Sequence, residues 1–198
     1  MPIRPETIVG IAGGSCSGKT SLEKNLSARL GERLSVFPFD DMFVGVNALQ
    51  GVVVDDWESP SLYRWDDFFT GLRELELGNT VTIDANSRES TEAGITSRVI
   101  EPRPIIVVAG FLALHDEAVR SLYDTTIYID ITEKEIIRRR KARANPDSPW
   151  DTDEYINGGL IPGHRRFVEP QRNLADFVVN GMVTPDSLAD EVANIIGA

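Results

Sequence analysis

Along the 198-residue chain, apolar positions gather into two kinds of run that alternate. Short stretches dense in Ile, Val and Phe, at Thr7 to Ala12, Leu34 to Phe39, Ile105 to Ala109, Thr126 to Ile131 and Phe177 to Val179, have the length and β-branched content of buried strands. Between them lie helical patterns at Lys19 to Leu30, Trp65 to Leu77, Glu133 to Arg143, around Pro162 to Gln171, and Pro185 to Ile196. Two helix starts carry chemical marks: Thr132 with Glu135 reads as a capping box, and Thr184 before Pro185 as an N-cap with proline at the first helical position. Strands alternating with helices predict an α/β fold with a parallel sheet. The stretch Thr80 to Glu101 breaks the rhythm with two short β-like runs around a polar turn, and predicts an inserted hairpin. With no internal repeat, low-complexity tract or linker, residues 1–198 read as one domain.

The junction of the first strand and first helix is "GGSCSGKT", Gly13 to Thr20. Glycines let the backbone fold around an anion with its N–H groups turned inward, and the helix adds the positive end of its dipole. The stretch matches G-x-x-x-x-G-K-[ST], in which the lysine reaches the β- and γ-phosphates and the final hydroxyl ligates Mg²⁺. Gly13, Gly14, Ser15, Cys16, Ser17, Gly18, Lys19, Thr20 and the following Ser21 are therefore the expected ATP-binding residues, with Thr20 on the metal. A ligand-free glycine turn is the plainer alternative, but the strand before and the helix after favour phosphate.

Composition narrows the partners. The net charge of −11 argues against nucleic acid, whose phosphates are bound by basic faces. Eight of the twenty Lys and Arg lie between Arg138 and Arg172, five of them in "RRRKAR", so one basic patch accompanies the anion-binding loop. That combination suits a small polyanion, although an Arg-rich helix can also be merely solvated. The longest apolar run, "IIVVAGFLAL", is too short to span a bilayer, and the N-terminus lacks the basic and apolar regions of a signal peptide. A cytoplasmic protein with no membrane partner is expected. One cysteine and two histidines leave no disulfide and no zinc cluster to propose.

Phosphoryl transfer needs a metal, a carboxylate to orient or deprotonate the nucleophile, and cations to spread charge. The second strand ends in "FPFDDMF", where open α/β sheets bind ligands, making Asp40 the candidate base and a metal-side group, with Asp41 beside the substrate. Paired acids at a strand end also serve as turn residues. Arg139 and Arg143, four apart, share a helix face and are candidates to close over the nucleotide. The following Pro-, Asp- and Gly-rich segment reads as the rest of a lid, about 138–160.

The motifs "GGSCSGKT", "FDDMF", "DWESP", "IDANSR", "AGFLAL", "RRRKAR" and "YINGGLIPGHRRFVEPQRNLADFVV" occur in an order that resembles the uridine kinase, phosphoribulokinase and nicotinamide riboside kinase group over nearly the whole chain. The resemblance implies a three-layer P-loop NTPase fold with a five-stranded parallel sheet. It implies ATP and Mg²⁺ as cofactors and transfer of the γ-phosphoryl to a hydroxyl, most often the 5′-hydroxyl of a ribonucleoside. By the same resemblance Lys19, Asp40, Arg139 and Arg143 are the catalytic set, and Trp57 and Glu58 hold the nucleoside by stacking on its base and binding its ribose. Asp84 and Arg88 match the substrate-side hairpin, and Arg166 a place near the lid. Three departures stand against it: Ala109 where a metal-side Glu ends the third strand, Ile83 and Asn86 where uridine kinases have Tyr and His, and a lid without the ring-covering tyrosine, for which Trp150 is the substitute candidate. A P-loop kinase for another alcohol or sugar, or a nucleotide-binding regulator without catalysis, are the alternatives, and self-association into a homo-oligomer stays open.

Overall fold

The computed structural model describes residues 4–45, 51, 58–143, 145 and 148–198. Five parallel strands form the central sheet: β1 (Thr7–Gly13), β2 (Leu34–Phe37), β5 (Ile105–Ala109), β6 (Thr125–Asp130) and β7 (Phe177–Asn180), in the order β2-β5-β1-β6-β7. β1 is central, with Thr7 opposite Ile105 of β5 and Val9 opposite Thr125 of β6. The two remaining strands, β3 (Val81–Asp84) and β4 (Ser97–Ile100), pair antiparallel as the separate hairpin. Their connection is more than a polar turn: Ser87 caps a short helix, α3 (Arg88–Glu92), by accepting from the Ser90 N–H.

Strand periodicity distributes the apolar side chains to two cores. Ile8 and Ala12 of β1, Ile106 and Val108 of β5, and Tyr128 of β6 pack with Phe68, Leu72 and Leu75 of α2 (Trp65–Glu76). Val9 and Ile11, Val107, Ile127 and Ile129 turn to the other face, against Leu22 and Leu26 of α1 (Lys19–Leu30) and Leu188, Ala189 and Val192 of α8 (Pro185–Ile195). Burying each of these large side chains contributes roughly 1.5–3 kcal/mol. The result is the three-layer arrangement that the alternation of strands and helices predicts, with both cores rooted in one sheet. Two further short helices, α4 (Glu117–Arg120) and α5 (Glu133–Ala142), flank β6 in the chain.

The C-terminal third departs from the simple pattern. Helical geometry runs without a break over residues 153–174: α6 (Asp153–Tyr155) and α7 (Ile161–Gly163) are joined and followed by π-helical turns at Ile156–Leu160 and His164–Val168, then by a 3₁₀ segment, Glu169–Leu174. Pro162 and Pro170 lack N–H groups, and wider turns accommodate such gaps in the hydrogen-bond ladder. The helix is therefore longer than the spacing of its apolar residues indicates. Among the described residues, no helix is long and apolar enough to cross a membrane.

Candidate active site

The phosphate loop is built by backbone conformation. Gly18 (φ 110°) and Cys16 (φ 61°) adopt left-handed geometry, and the Ser17 N–H donates to the Gly14 carbonyl at 3.1 Å, curling the loop ahead of α1. Lys19 folds back over it, its ammonium donating to the carbonyls of Gly13 at 2.7 Å and Gly14 at 2.8 Å. Burial lowers the Lys19 pKa, countered mainly by the charge of Asp40. Two cavities of about 770 and 750 Å³ meet at this point, and Lys19, Thr20, Asp40, Ser87 and Glu89 line both.

Asp40 and Asp41 diverge despite being neighbours. Asp40 is exposed where it opens into the cavities, yet the protein packed around their mouth pushes its pKa up, to about 6, with Lys19 opposing the rise. A carboxylate so poised suits proton abstraction near neutral pH. Asp41 turns inward: its Oδ1 accepts from the Ser87 N–H at 3.0 Å and its Oδ2 from Arg98 Nε at 2.6 Å, and these bonds lower its pKa despite burial. Its carboxylate is thus committed to the hairpin, although the residue borders the first cavity.

The 750 Å³ cavity gathers the loop residues Ser15, Cys16, Ser17, Gly18 and Ser21 with Glu58, Arg88, Arg139, Arg143 and Trp150. Arg139 is held along its length: its guanidinium donates to the carbonyls of Cys16 (3.1 Å) and Gly181 (3.0 Å) and to Glu135 (2.6 Å). Glu135 thereby completes only half of a capping box; Thr132 Oγ1 accepts its N–H, while its carboxylate binds Arg138 and Arg139 instead of returning to Thr132. Arg143 stands at the cavity lip, where its charge acts on Lys19 and Asp40. Arg88 reaches from α3 to the Ser148 hydroxyl at 3.0 Å.

Asp84 and Arg166 are not brought to either cavity. β-pleat alternation buries Ile83 and turns Asp84 outward, where its side chain is 76% exposed beside Arg64. On the turn that buries His164 and Val168, Arg166 points to solvent with its guanidinium 4.8 Å above the Phe167 ring. Trp57 lies outside the described residues. Asn86 lines neither cavity, and Ile83 packs in the core beneath α2.

Several site residues escape the motif reading. Arg140, not Arg139 or Arg143, is the buried arginine of α5: it pairs with Asp151 at 3.0 Å and donates to the Trp150 carbonyl at 2.9 Å and the Ser15 hydroxyl at 3.3 Å. Its signal was the spacing from Ile136, four residues earlier on the same buried face. Glu23, one helical turn beyond Thr20, faces the same cavity as Ala109, and burial with the nearby Asp40 raises its pKa to about 7. His164 packs its ring against Gly14, where a Cβ would come within 2.9 Å of it. Tyr155 donates a hydrogen bond to Glu58, a contact that only the tertiary fold creates.

Comparison with known proteins agrees with this architecture. The family model for the phosphoribulokinase / uridine kinase family matches residues 8–187. The chain is 26% identical to a uridine kinase of Halobacterium salinarum over 88% of this chain and 80% of that one, and 29% identical to one from Streptococcus pneumoniae over 99% and 97%. In fold it is similar to a possible uridine kinase from Bacillus stearothermophilus, with a TM-score of 0.66 at 19% identity over 90% of each chain. It is also similar to a shikimate kinase from Acinetobacter baumannii, with a TM-score of 0.54 at 13% identity over 96% and 92%. A left-handed glycine loop under a lysine folded back onto its carbonyls, a strand-end carboxylate sharing its cavities and a family match across nine-tenths of the sequence have one common reading: this chain belongs to the phosphoribulokinase / uridine kinase family and is an ATP-dependent phosphotransferase acting on a hydroxyl.

Proposed function

We propose that the protein is a nucleoside kinase that transfers the γ-phosphoryl of ATP to the 5′-hydroxyl of a ribonucleoside of the uridine or nicotinamide riboside type. The observation that carries this reading is the position of Glu58, a buried carboxylate in the same cavity as the phosphate loop and Asp40. A carboxylate there accepts hydrogen bonds from sugar hydroxyls, and Tyr63, Phe43 and Phe111 supply an apolar wall beside it. The uridine kinases among its relatives support the same acceptor class.

In this scheme the loop N–H groups and Lys19 hold the phosphates, Asp40 takes the proton of the acceptor hydroxyl, and Arg143 adds positive charge from the lip. Arg139 fixes the loop through the Cys16 carbonyl, and Arg88 ties the hairpin to the segment around Ser148. Thr20 and Asp40 line both cavities, and a hydroxyl with a carboxylate is a donor set that fits Mg²⁺, which takes one or two protein oxygens with phosphates and water. Bound there, the ion would neutralise charge on the transferred phosphate.

The absence of Ile83 and Asn86 from the cavity wall favours a second reading at the base-recognition end, in which a non-nucleoside alcohol or sugar is the acceptor. The two separate in steady-state kinetics over uridine, cytidine, nicotinamide riboside and a panel of sugars and alcohols with ATP. A ribonucleoside should give the highest kcat/KM; turnover confined to compounds without a ribose would overturn the proposal.

A further inference from the structure

Glu58 does not stand alone on its wall. The helical run 153–168 approaches it so closely that a Cβ on Gly163 would lie 2.3 Å from the Glu58 Cβ, and this approach brings the Tyr155 hydroxyl onto Glu58 Oε1. Tyr155 is 3% exposed. Burial and the facing carboxylate hold its phenol well above the usual range, so it remains a proton donor. The Trp150 ring meets it edge-on at 5.4 Å, and the Arg140 guanidinium lies 5.7 Å from its ring centroid while reaching Ser15 of the phosphate loop. Glu58 itself still borders the cavity, so its carboxylate is shared between one phenol and the space where the acceptor enters.

We propose that Tyr155 is a positioning residue for the acceptor: its phenol holds one oxygen of Glu58 and aims the carboxylate into the cavity. This rests on the nucleoside kinase reading for the identity of the acceptor, but not for the Tyr155–Glu58 pairing. The electrostatics fit the role. Burial raises the Glu58 pKa to about 7; the Tyr155 hydrogen bond, Arg140 and Lys19 pull it down, and Asp40 pushes it up. Removing the phenol therefore raises it further, and near neutral pH more of Glu58 becomes a protonated acid, a poorer acceptor for a sugar hydroxyl.

Tyr155→Phe keeps the ring that packs on Trp150 and Arg140 and deletes only the donor. With carbon-13-labelled glutamate, NMR titration should show the Glu58 carboxyl, assigned by its loss in Glu58→Gln, titrating at higher pH in Tyr155→Phe than in the unmodified protein. In kinetics the variant should lose about tenfold in kcat/KM for the ribonucleoside near pH 6 and recover to within about twofold near pH 9, with KM for ATP unchanged. An unmoved Glu58 titration overturns the proposal, as does a loss of the same size at every pH, which would mark Tyr155 as a packing residue. If no ribonucleoside is turned over, the acceptor assignment fails, and the titration alone decides the role of Tyr155.

Discussion

Arg98 on β4 donates its Nε–H to the buried Oδ2 of Asp41 at 2.6 Å and, with the Ser87 N–H on Oδ1, ties the end of the second strand to the inserted hairpin. Asp41 is 2% exposed at its side chain and Arg98 is 39% exposed, so the acid bears most of the burial cost and depends on its partners. The pair explains why two adjacent aspartates have different duties.

Asp41→Asn should accordingly act on stability. It keeps an oxygen for the Ser87 N–H but loses the charge that Arg98 neutralises, at a cost of about 1–3 kcal/mol and several degrees in Tm. Because the hydrogen bonds lower the native pKa below the ordinary 3.8, the pair contributes stability that is present above that value and is lost as pH falls through the lowered one. Thermal melts from about pH 7 to pH 3 test this: the gap between the two proteins should narrow at the acid end.

Asp40→Asn and Lys19→Ala should leave the fold intact, since Asp40 opens into the cavities and Lys19 bonds only carbonyls and a hydroxyl of its own loop. Asp40→Asn should lower kcat by about 10²- to 10⁴-fold, and Lys19→Ala by at least about a hundredfold. Steady-state kinetics with unchanged circular dichroism check both. A greater catalytic loss from Asp41→Asn than from Asp40→Asn would reverse the assignment of the two aspartates.

The contrast between these neighbours marks where sequence reasoning stops. The phosphate loop is legible because its chemistry is a backbone conformation, and a few residue types at fixed spacing permit it. The sheet is legible because its central strands β1, β5 and β6 are continuous apolar runs, buried on both faces. Which aspartate faces the cavity depends on Arg98, 57 residues away, and no local pattern encodes that partner. The basic run posed a similar problem: Arg139 and Arg143 share a face, but burial follows Ile136, so Arg140 is the one carried inward. Tyr155 left no signal, because its value comes from a helix crossing Glu58 at Gly163.

Arg140→Ala should destabilise the protein by about 3 kcal/mol, because it takes the nearest cation from the carboxylate of Asp151, whose side chain is 5% exposed and keeps the Asn145 N–H at 3.0 Å and Arg88 at 3.9 Å, and removes the donor to Trp150 and Ser15. Arg138→Ala, two positions earlier and 66% exposed, should cost less than about 1 kcal/mol. Urea denaturation of the two variants makes the comparison within one helix. Similar losses would mean that the basic run acts as a uniform charged surface and not through one inward arginine.

Glu58→Gln provides the sharpest test of the acceptor. The residue is 8% exposed and lines the cavity shared by the phosphate loop and Asp40, so a hydroxyl reaching it meets little competing water. A hydrogen bond to a charged acceptor contributes about 1.5–3 kcal/mol, and the amide retains only part of that. Ribonucleosides should therefore lose about tenfold or more in kcat/KM, whereas 2′-deoxy analogues should lose less if the 2′-hydroxyl is the group that Glu58 receives. The effect should fall mainly on KM for the acceptor, because the interaction is made with the bound sugar and not created at the reacting phosphorus. Since burial pushes the Glu58 pKa up to about 7, the difference between ribo and deoxy substrates in the unmodified protein should widen as pH rises through that value and the carboxylate ionises. Equal losses for ribo and deoxy substrates would place the sugar elsewhere in the cavity and leave Glu58 as the partner of Tyr155 alone.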